Sequence, residues 1–253
     1  MIETTNGRTL KTTRTSLRIL ELVLEHDGLT LAELDAIVDK PKSSLHGHLA
    51  TLLECRYLVR DGQTYVASFK LAELGDRARP VELETVATDT VERIAEDTGE
   101  EANFTVFEHG RLLLLHGSSN QAVDQEGDAP FRTEYYLHNT AAGKAILAEL
   151  PRERVDRILD EWGMPREIEA TITDRERLYD QLGEIADEGY AIIDEEFAPG
   201  LVAVGAPVHA DGEIVGGLSI GGPKYRINMT RLHGELAAEL LDAVDEMETA
   251  LDA

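Results

Sequence analysis

One segment of the chain combines cationic, hydroxyl and imidazole side chains at a spacing suited to contact with a polyanion. The segment KPKSSLHGHLATLLECRYLVRDG, residues 40–62, holds four basic and two acidic residues, whereas the whole chain has a net charge of -25. Lysine and arginine bind phosphate groups, and short hydroxyl side chains bind phosphate oxygens or base edges. These residue types therefore indicate contact with a nucleic acid.

The side chains expected to make this contact lie at the start of a helix that follows Pro41, on its polar flank, and in the strand pair after it. The predicted DNA-binding set is Arg14, Lys40, Lys42, Ser43, Ser44, His46, His48, Thr51, Arg60 and Gln63. The alternative is that serine and lysine only solvate an exposed helix face. The strand pair and the neutral charge balance of the surrounding region favour DNA contact over that alternative.

A second stretch, HNTAAGK at residues 138–144, places small residues at the start of a predicted helix. Unpaired backbone N–H groups and the positive end of the helix dipole attract an anion at such a position. Ala141, Ala142 and Gly143 have side chains small enough for a ligand to approach the backbone. We therefore predict a carboxylate-binding site here, with ordinary packing of a helix on a strand as the alternative.

No residue pattern in the chain supports catalysis, a metal site or a cofactor. The sequence GLSIG, residues 217–221, matches the G-x-S-x-G pattern of serine hydrolases, but Ser219 lies within an apolar strand pattern with no helix directly after it. His109 and His116 have no cysteine partner, and Gly143-Lys144 lacks the other residues of a phosphate-binding loop. We expect no enzyme activity, with a serine hydrolase as a remote alternative.

The elements that position the first segment are three short helices and a hairpin. Helical spacing over residues 15–26 places Leu17, Leu20, Val23 and Leu24 on the apolar side of a first helix, which is expected to face the core. Thr30 and Glu33 form a capping box for the second helix, and Pro41 opens the third. Strand patterns on both sides of Asp61-Gly62 indicate a hairpin. This order predicts a winged helix-turn-helix, in which the N-terminal residues of the third helix contact base edges.

The remainder of the chain mixes strand and helix patterns without strict alternation, which predicts an α+β domain with an antiparallel sheet. Turns are expected at His109-Gly110 and Asp211-Gly212, a capping box at Thr173 and Glu176, and a polar loop between the first of these hairpins and Tyr135. An amphipathic helix is expected over 228–251. We predict a DNA-binding domain over 1–76, a linker helix over 77–99 and a second domain over 100–253.

Composition narrows the class of protein further. A chain with 42% hydrophobic and 29% charged residues is typical of a folded soluble protein. The first residues contain no apolar signal segment, and the longest aliphatic run, Leu112–Leu115, is too short to cross a bilayer. We therefore expect a cytoplasmic protein with no membrane contact. The single cysteine, Cys55, falls on the apolar side of a helical pattern and is expected to be buried and inert.

The negative charge is confined to one part of the chain. Residues 1–79 are neutral overall, so the whole excess of -25 lies in residues 80–253, where acidic residues are spread over nearly every segment. At molar salt the Debye length falls to about 3 Å, which screens the repulsion within such a surface. The distribution predicts a halophilic protein whose stability depends on salt.

Several segments together resemble the IclR family of transcription regulators, in the family's order and spacing. They are SLRILELVLEHDGLTLAEL, KPKSSLHGHLATLLECRYLVRDG, LAELG, YYLHNTAAGKAILAEL, GYAIIDEEFAPGLVAVGAPV and GGLSIGGP. The resemblance implies a winged helix-turn-helix, a linker helix and a GAF-like effector domain that binds small organic acids. It also implies homodimers through the DNA-binding part, often paired into tetramers, bound to double-stranded operator DNA.

The resemblance also implies which residues line the effector pocket. Besides the helix start at 141–143, these are the stretch 193–196 with Asp194, and Ala203, Ser219 and Gly221. The chain departs from the family at Gly47, where many members carry arginine, and at Ile193 and Gly221, where some acid-binding members carry polar side chains. We therefore predict a ligand-responsive transcription regulator with a more apolar pocket. A sensor or scaffold that does not bind specific DNA is the alternative.

Overall fold

The described part of the chain forms two separate units. The structure, a computed structural model, describes residues 9–118 and 134–253. Within these ranges the boundary between the units falls between Arg79 and Pro80. The polar loop expected before Tyr135 lies outside the described residues.

The first unit contains helices and a small antiparallel sheet. Its elements are α1 (Lys11–Glu25), β1 (Leu29–Thr30), α2 (Leu31–Ile37), α3 (Lys42–Glu54), β2 (Leu58–Asp61), β3 (Thr64–Ala67) and α4 (Lys70–Ala78). The strand order is β1-β3-β2, and Arg60 of β2 lies opposite Tyr65 of β3. The predicted winged helix-turn-helix is therefore present, with α3 followed directly by the β2–β3 hairpin.

Local sequence signals explain most of this unit. The capping box forms as predicted: the Glu33 N–H donates to Thr30 Oγ1 at 3.3 Å, and the Thr30 N–H donates to Glu33 Oε2 at 2.8 Å. Apolar residues from α1, α2, α3 and the sheet form one core, which contains Ile19, Leu22, Val23, Leu34, Leu45, Leu49, Leu58 and Tyr65. This core fixes which face of α3 is turned to solvent.

Two expectations for this unit are wrong. Leu17 and Leu24, predicted to face the core, are 53% and 51% exposed, because they lie on the opposite side of α1 from Ile19 and Val23. Cys55 is also exposed. It follows the last residue of α3, so its side chain no longer lies on the apolar stripe formed by Leu45, Leu49 and Leu52.

The second unit is a six-stranded antiparallel sheet with helices. Its elements are α5 (Val81–Thr98), β4 (Glu101–Glu108), β5 (Arg111–Ser118), β6 (Glu134–Tyr135), α6 (Ala141–Glu149), α7 (Arg152–Trp162), α8 (Arg175–Glu188), β7 (Ala191–Asp194), β8 (Leu201–Ala210), β9 (Glu213–Pro223), α9 (Met229–Arg231) and α10 (Ala237–Leu251). The strand order is β6-β5-β4-β9-β8-β7, and every pairing is antiparallel. The predicted α+β class is confirmed.

The sheet separates two apolar layers. Alternate residues of β8, Val202, Val204, Ala206 and Val208, pack with α5 and α10. The residues between them face the other way, toward α6, since side chains alternate between the two faces of a strand. The helix expected to link the domains, α5, packs within this unit and buries Ala87, Val91 and Ile94.

Two further local predictions need correction. The cap of α8 is Asp174, whose side chain accepts the N–H of Arg177, and not Thr173. The Thr173 hydroxyl is bonded instead by the Arg166 guanidinium. The C-terminal helix is interrupted by a π-helical turn over Leu232–Leu236. None of the described helices combines the length and apolarity required to span a bilayer.

Candidate functional site

The solvent-facing side of α3 carries most of the predicted DNA contacts. Ser43, His46 and Thr51 are exposed, and Ser44 is half-buried at the first turn. The helix begins directly after Pro41, whose side chain makes no cap bond. Because Leu45, Leu49 and Leu52 anchor the opposite side, this face points to solvent with its polar groups accessible.

Cationic groups lie close to the start of α3. Lys40 is exposed just before the helix, and Lys42, 71% exposed, has its Nζ 3.3 Å from Asp35 Oδ2. Exposed pairs of this kind contribute little to stability, about 0–1 kcal/mol, so Lys42 is able to exchange Asp35 for a phosphate. Arg14 is exposed on α1, with Nη2 3.5 Å from Thr9 Oγ1.

The β2–β3 hairpin supplies a second contact region. Arg60 Nε donates to the Gly62 carbonyl at 3.1 Å, and its guanidinium lies 5.7 Å from the centre of the Tyr65 ring. Gln63 is exposed in the turn beside it. These contacts hold a cation at the tip of the hairpin, where the wing of a winged helix-turn-helix approaches the DNA backbone.

Two further members of the predicted set, His48 and Thr51, also have partners inside the unit. The His48 ring is half-buried, and its Nδ1 lies 2.8 Å from Ser16 Oγ on α1. The Thr51 hydroxyl donates to the Gly47 carbonyl at 2.9 Å. His48 therefore connects α3 to α1, whereas Thr51 keeps its acceptor lone pairs available on the exposed face.

The second unit contains a small cavity of about 80 Å³ between the sheet and the start of α6. Its lining residues come from all six strands of the sheet, β4 to β9, from α6 and from the connections between them. They are Glu101, Asn103, Thr105, Leu112, Tyr135, Thr140, Ala141, Ala142, Ile193, Phe197, Leu201, Ala203, Ser219 and Gly221.

The position of the cavity follows from the absence of a side chain at one strand residue. A Cβ on Gly205 would lie 2.2 Å from the Ala142 nitrogen, which is closer than any real contact. Glycine at 205 therefore allows the start of α6 to lie directly on β8. Along the sheet, Gly205 is opposite Ser219, and Ser219 is opposite Asn103, so these side chains share the face toward α6.

The first turn of α6 presents backbone donors at the cavity. Its N-cap residue, Thr140, makes no side-chain cap bond, and its hydroxyl donates to the Tyr136 carbonyl at 3.0 Å. The first N–H groups of an α-helix have no partner within the helix. Ala141 and Ala142, which line the cavity, therefore combine small side chains with backbone donors and the positive end of the helix dipole.

The rest of the lining is mostly apolar, with one polar pair. The Ser219 hydroxyl donates to Asn103 Oδ1 at 3.0 Å, which leaves the amide nitrogen of Asn103 as a donor for a ligand. The Tyr135 and Phe197 rings contact each other with centroids 5.6 Å apart, and Ile193 and Ala203 pack beside Phe197. Such a site suits a ligand with one anionic end and a short apolar body.

The structure brings six of the predicted effector residues together and leaves four apart. Ala141, Ala142, Ile193, Ala203, Ser219 and Gly221 line the cavity, and Glu195 and Glu196 do not. Gly143 does not, because it faces Leu137, where a Cβ would lie 2.5 Å from backbone atoms. Asp194 does not either: its carboxylate is half-exposed and pairs with Lys224 Nζ at 2.6 Å.

Sequence analysis missed Asn103 and Phe197. The strand pattern ANFTVFE contained a usable signal for the first, since Asn103 and Thr105 are polar positions on one face of an otherwise apolar strand. No local signal identifies Phe197, because it lies in an irregular connection between β7 and β8.

The serine at 219 does not occupy a nucleophile elbow. It lies in the middle of β9, paired with Gly205 and Asn103 on the neighbouring strands. A nucleophile elbow requires a strand, a sharp turn at the serine and an immediate helix. Within residues 9–118 and 134–253, no group of three or more His, Cys, Asp or Glu side chains is arranged to hold a metal ion.

Comparison with known families matches both units. Residues 15–62 match the IclR helix-turn-helix domain. Residues 77–249 match the bacterial transcriptional regulator IclR C-terminal domain. The second match alone covers more than half of the chain.

Individual relatives match this chain along nearly its full length. The chain is 31% identical over 242 residues to the "Probable HTH-type transcriptional regulator ArcR" of Halobacterium salinarum, covering 94% of this chain and 92% of that protein. It is 29% identical to the HTH-type transcriptional regulator BhcR of Paracoccus denitrificans, with 92% and 84% covered. A crystal structure of an IclR homolog from Microbacterium hydrocarbonoxydans complexed with 4-hydroxybenzoate superposes with a TM-score of 0.74 at 22% identity, covering 93% and 98%.

Proposed function

Because the chain belongs to the IclR family of transcriptional regulators, which are not enzymes, we propose that it regulates transcription in response to a small organic acid. Members of the family bind DNA through the helix-turn-helix and an effector through the C-terminal domain. The observation that carries the finer proposal is the cavity at the uncapped start of α6. Residues 1–76 bind operator DNA, 77–99 connect the domains and 100–253 bind the effector.

The proposed DNA contacts combine the outer face of α3 with the hairpin tip. Ser43, Ser44 and His46 approach base edges, while Lys40, Lys42 and Arg60 hold phosphates. Arg14, Thr51 and Gln63 contact the backbone at the margins. His48 supports these contacts indirectly, because its hydrogen bond with Ser16 fixes α3 against α1.

The proposed effector is a short aliphatic monocarboxylate. Its carboxylate accepts the N–H groups at the start of α6 and the Asn103 amide, while its body contacts Ile193, Phe197 and Ala203. Size supports this class: a dry cavity that binds benzene measures about 150 Å³, whereas this one measures about 80 Å³. An aromatic acid such as the 4-hydroxybenzoate of the Microbacterium homolog requires the walls to move apart.

We further propose a cytoplasmic homodimer adapted to concentrated salt. The exposed leucines of α1 provide an apolar stripe for a second copy, and pairs of dimers give a tetramer. The net charge of -25, all of it within 80–253, supports the halophilic assignment. A regulator from H. salinarum among the relatives is consistent with it.

The connection between the two sites is proposed to run through α5. This helix ends at Thr98, and Glu101 at the start of the next strand lines the cavity. A ligand that draws the cavity walls together shifts the end of α5. In a dimer this shift changes the spacing of the two α3 helices, and half-site spacing decides whether both fit the DNA.

The experiment begins with selection of bound sequences from randomised duplexes at 1 M KCl, followed by affinity measurements on the enriched duplex. A specific regulator enriches one sequence, and the Lys42→Ala/Ser44→Ala variant loses affinity for it. Equal, sequence-independent binding by both proteins favours the alternative of a scaffold without specific DNA recognition.

The effector part of the proposal is tested with propionate, pyruvate and 4-hydroxybenzoate at high salt. Propionate or pyruvate is expected to raise the Tm and to change operator affinity. The Ala142→Trp variant, which fills the cavity, is expected to bind DNA normally and to ignore the acids. A response that survives this substitution would place the ligand elsewhere.

A further inference from the structure

A buried ion pair lies directly behind the cavity. Lys144 of α6 is fully buried, and its Nζ lies 2.6 Å from both carboxylate oxygens of Glu196 and 2.7 Å from Gln181 Oε1 of α8. A lysine ammonium has three donors, and here each has an acceptor. Burial lowers the pKa of Lys144 below its ordinary value, while the neighbouring Glu196 carboxylate acts in the opposite direction.

The two partners belong to opposite walls of the cavity. Lys144 follows Ala141 and Ala142, which line the cavity on the α6 side. Glu196 precedes Phe197 in the connection from β7 to β8, and Phe197 and Leu201 line the facing wall. The ion pair therefore ties the helix that supplies the proposed anion donors to the segment that supplies the apolar contacts.

The segment from Glu195 to Leu201, here called the wall loop, is held at several other points. The Thr171 hydroxyl donates to the Glu196 carbonyl at 2.9 Å. The Gly200 N–H donates to Glu195 Oε2, also at 2.9 Å, and Lys224 Nζ lies 2.7 Å from Glu195 Oε1. These bonds fix the loop's own shape and its outer side, whereas the Lys144–Glu196 pair fixes its position relative to α6.

Stability alone does not account for such a pair. Removing two charges from water costs as much as their attraction returns, and apolar replacements of buried pairs are often neutral or stabilising. What a buried pair supplies that apolar residues do not is one defined geometry, because its donors and acceptors are satisfied in a single arrangement. Because the two partners belong to segments that line the cavity, the geometry that the pair defines is the spacing of the cavity walls.

We infer that Lys144 and Glu196 are positioning residues that set the distance between α6 and the wall loop, and thereby restrict the cavity to short acids. This inference deepens the proposed function and rests on it for the identity of the ligand site. Neither residue contacts the ligand, since neither lines the cavity. Their effect is on the size of the acid that fits.

The test replaces both partners with apolar residues of similar size. The Lys144→Met/Glu196→Leu variant is expected to keep the wild-type Tm and fold. Its ratio of affinities for propionate over 4-hydroxybenzoate is expected to fall by about tenfold or more. Hydrogen exchange of the wall-loop amides, measured without ligand, is expected to become faster.

The matched control is Arg93→Met/Glu246→Leu, which removes the same two charges from the pair that links α5 to α10 at 2.7 Å. It is expected to alter neither acid preference nor wall-loop exchange. If the Lys144/Glu196 double variant does not fold, Lys144→Gln/Glu196→Gln removes both charges, keeps hydrogen-bonding side chains at both positions and is expected to give a smaller shift in the same direction.

The outcomes separate the two proposals. Unchanged acid preference and unchanged wall-loop exchange, in a folded variant, would overturn the positioning role. If wild-type protein binds neither acid, the proposed ligand class fails. The exchange data then still decide the inference: faster exchange confined to the wall loop and the start of α6 supports it, and wild-type exchange rejects it.

Discussion

The residue at position 47 limits how α3 holds DNA. Gly47 lies on the exposed side of the helix, and a Cβ built there meets no atom within 4 Å. Glycine inside a helix costs about 0.5–1 kcal/mol relative to alanine. Nothing in the fold of this unit therefore requires glycine at position 47. Where many family members carry an arginine, this chain has no cation on the face proposed to enter the groove.

Replacing Gly47 with arginine is expected to raise stability and DNA affinity together. The helix gains about 0.5–1 kcal/mol from lost backbone freedom in the unfolded chain. One added phosphate contact steepens the dependence of log affinity on log salt by about 0.9. Thermal unfolding and operator binding between 0.5 and 2 M KCl, roughly the range in which screening is strong, measure both effects.

Gly47→Ala is the matched control for this prediction. It is expected to raise the Tm to the same extent while leaving the salt dependence of DNA binding unchanged. If Gly47→Arg and Gly47→Ala bind DNA identically, residue 47 does not face a phosphate and the proposed orientation of α3 is wrong.

Residue types predicted the helix start at the cavity, and the resemblance to the IclR family supplied Asp194, Ala203 and Ser219. Ala141, Ala142, Ala203 and Ser219 line the cavity, whereas Gly143 and Asp194 do not. The difference lies in side-chain direction: Gly143 is turned toward Leu137 by the rotation of α6, and Asp194 ends β7 on the solvent side. The small-residue pattern that indicated the helix start does not determine how the helix is rotated. The family resemblance likewise does not determine which side of a strand end is exposed.

One histidine, His209, connects three elements: β8, α6 and α10. His209, at the irregular end of β8, places Nε2 2.7 Å from Glu149 Oε2 of α6 and Nδ1 2.8 Å from Glu248 Oε1 of α10. Its backbone N–H also donates to Glu248. Asp211 and Asp252 add negative charge nearby, bonded to each other through the Asp211 N–H.

This arrangement predicts a stability that decreases as pH rises above neutrality. Partial burial lowers the pKa of His209, but the bonds to Glu248 and Glu149 outweigh it, so the folded pKa is raised above the ordinary value. The stabilising contribution is therefore complete below the unfolded pKa of about 6.5 and is lost as pH rises through the folded pKa.

Thermal unfolding of wild type and His209→Gln, measured from acidic to alkaline pH, checks whether the stabilising effect of His209 decreases as pH rises. The two Tm curves are expected to differ most at acidic pH and to converge at alkaline pH. His26→Gln, at an exposed histidine of the first unit, serves as the control and is expected to follow wild type. A His209→Gln difference that grows with pH would contradict the assignment.

Helix α1 carries the proposed dimer contact. Leu10, Leu17 and Leu24 recur every seven residues and are exposed by 67%, 53% and 51%. Exposed leucines at a seven-residue spacing lie along one side of a helix, which suits pairing with a second copy of the same helix.

Leu17→Glu is expected to shift the protein to a smaller assembly, because two carboxylates would face each other across the pairing axis. Light scattering measures the mass at 3 M KCl, a salt concentration at which the Debye length is below about 3 Å and general repulsion is screened. Tyr225→Glu, at an exposed position of the second unit, is expected to leave the mass unchanged. An unaltered mass for Leu17→Glu would exclude α1 as the interface.

Elements were predicted best where one local interaction decides them. The capping box of α2 needs only Thr30 and Glu33, and it forms as expected. At α8 two caps compete within two residues, and Asp174 forms the cap because Thr173 bonds Arg166 instead. The π-helical turn at Leu232–Leu236 has no local signal, since the residues on both sides continue a helical pattern.

At the scale of the whole molecule, the sequence predicted the α+β class and the N-terminal winged helix-turn-helix, but it did not predict α4, because Gly75 and Pro80 are residues typical of a boundary. The order of strands, β6-β5-β4-β9-β8-β7, was not predictable in the same way, because β4 and β9 are far apart in the chain and pair only after the helices between them have packed. The close approach of α6 to β8 at Gly205 likewise depends on this long-range arrangement.

The distribution of charge predicts that the stability of the protein depends on salt. All of the net charge of -25 is carried by residues 80–253, so self-repulsion acts on the second unit and hardly on the first. Such repulsion destabilises a compact state and is screened as the Debye length falls from about 10 Å at 0.1 M salt to about 3 Å at 1 M. We expect the Tm to rise steeply between 0.1 and 1 M KCl and more slowly up to 3 M. Sucrose at matched osmolality, which favours compact states by exclusion without screening charge, is expected to produce a smaller rise. Equal rises in KCl and sucrose would show that charge repulsion is not what salt relieves.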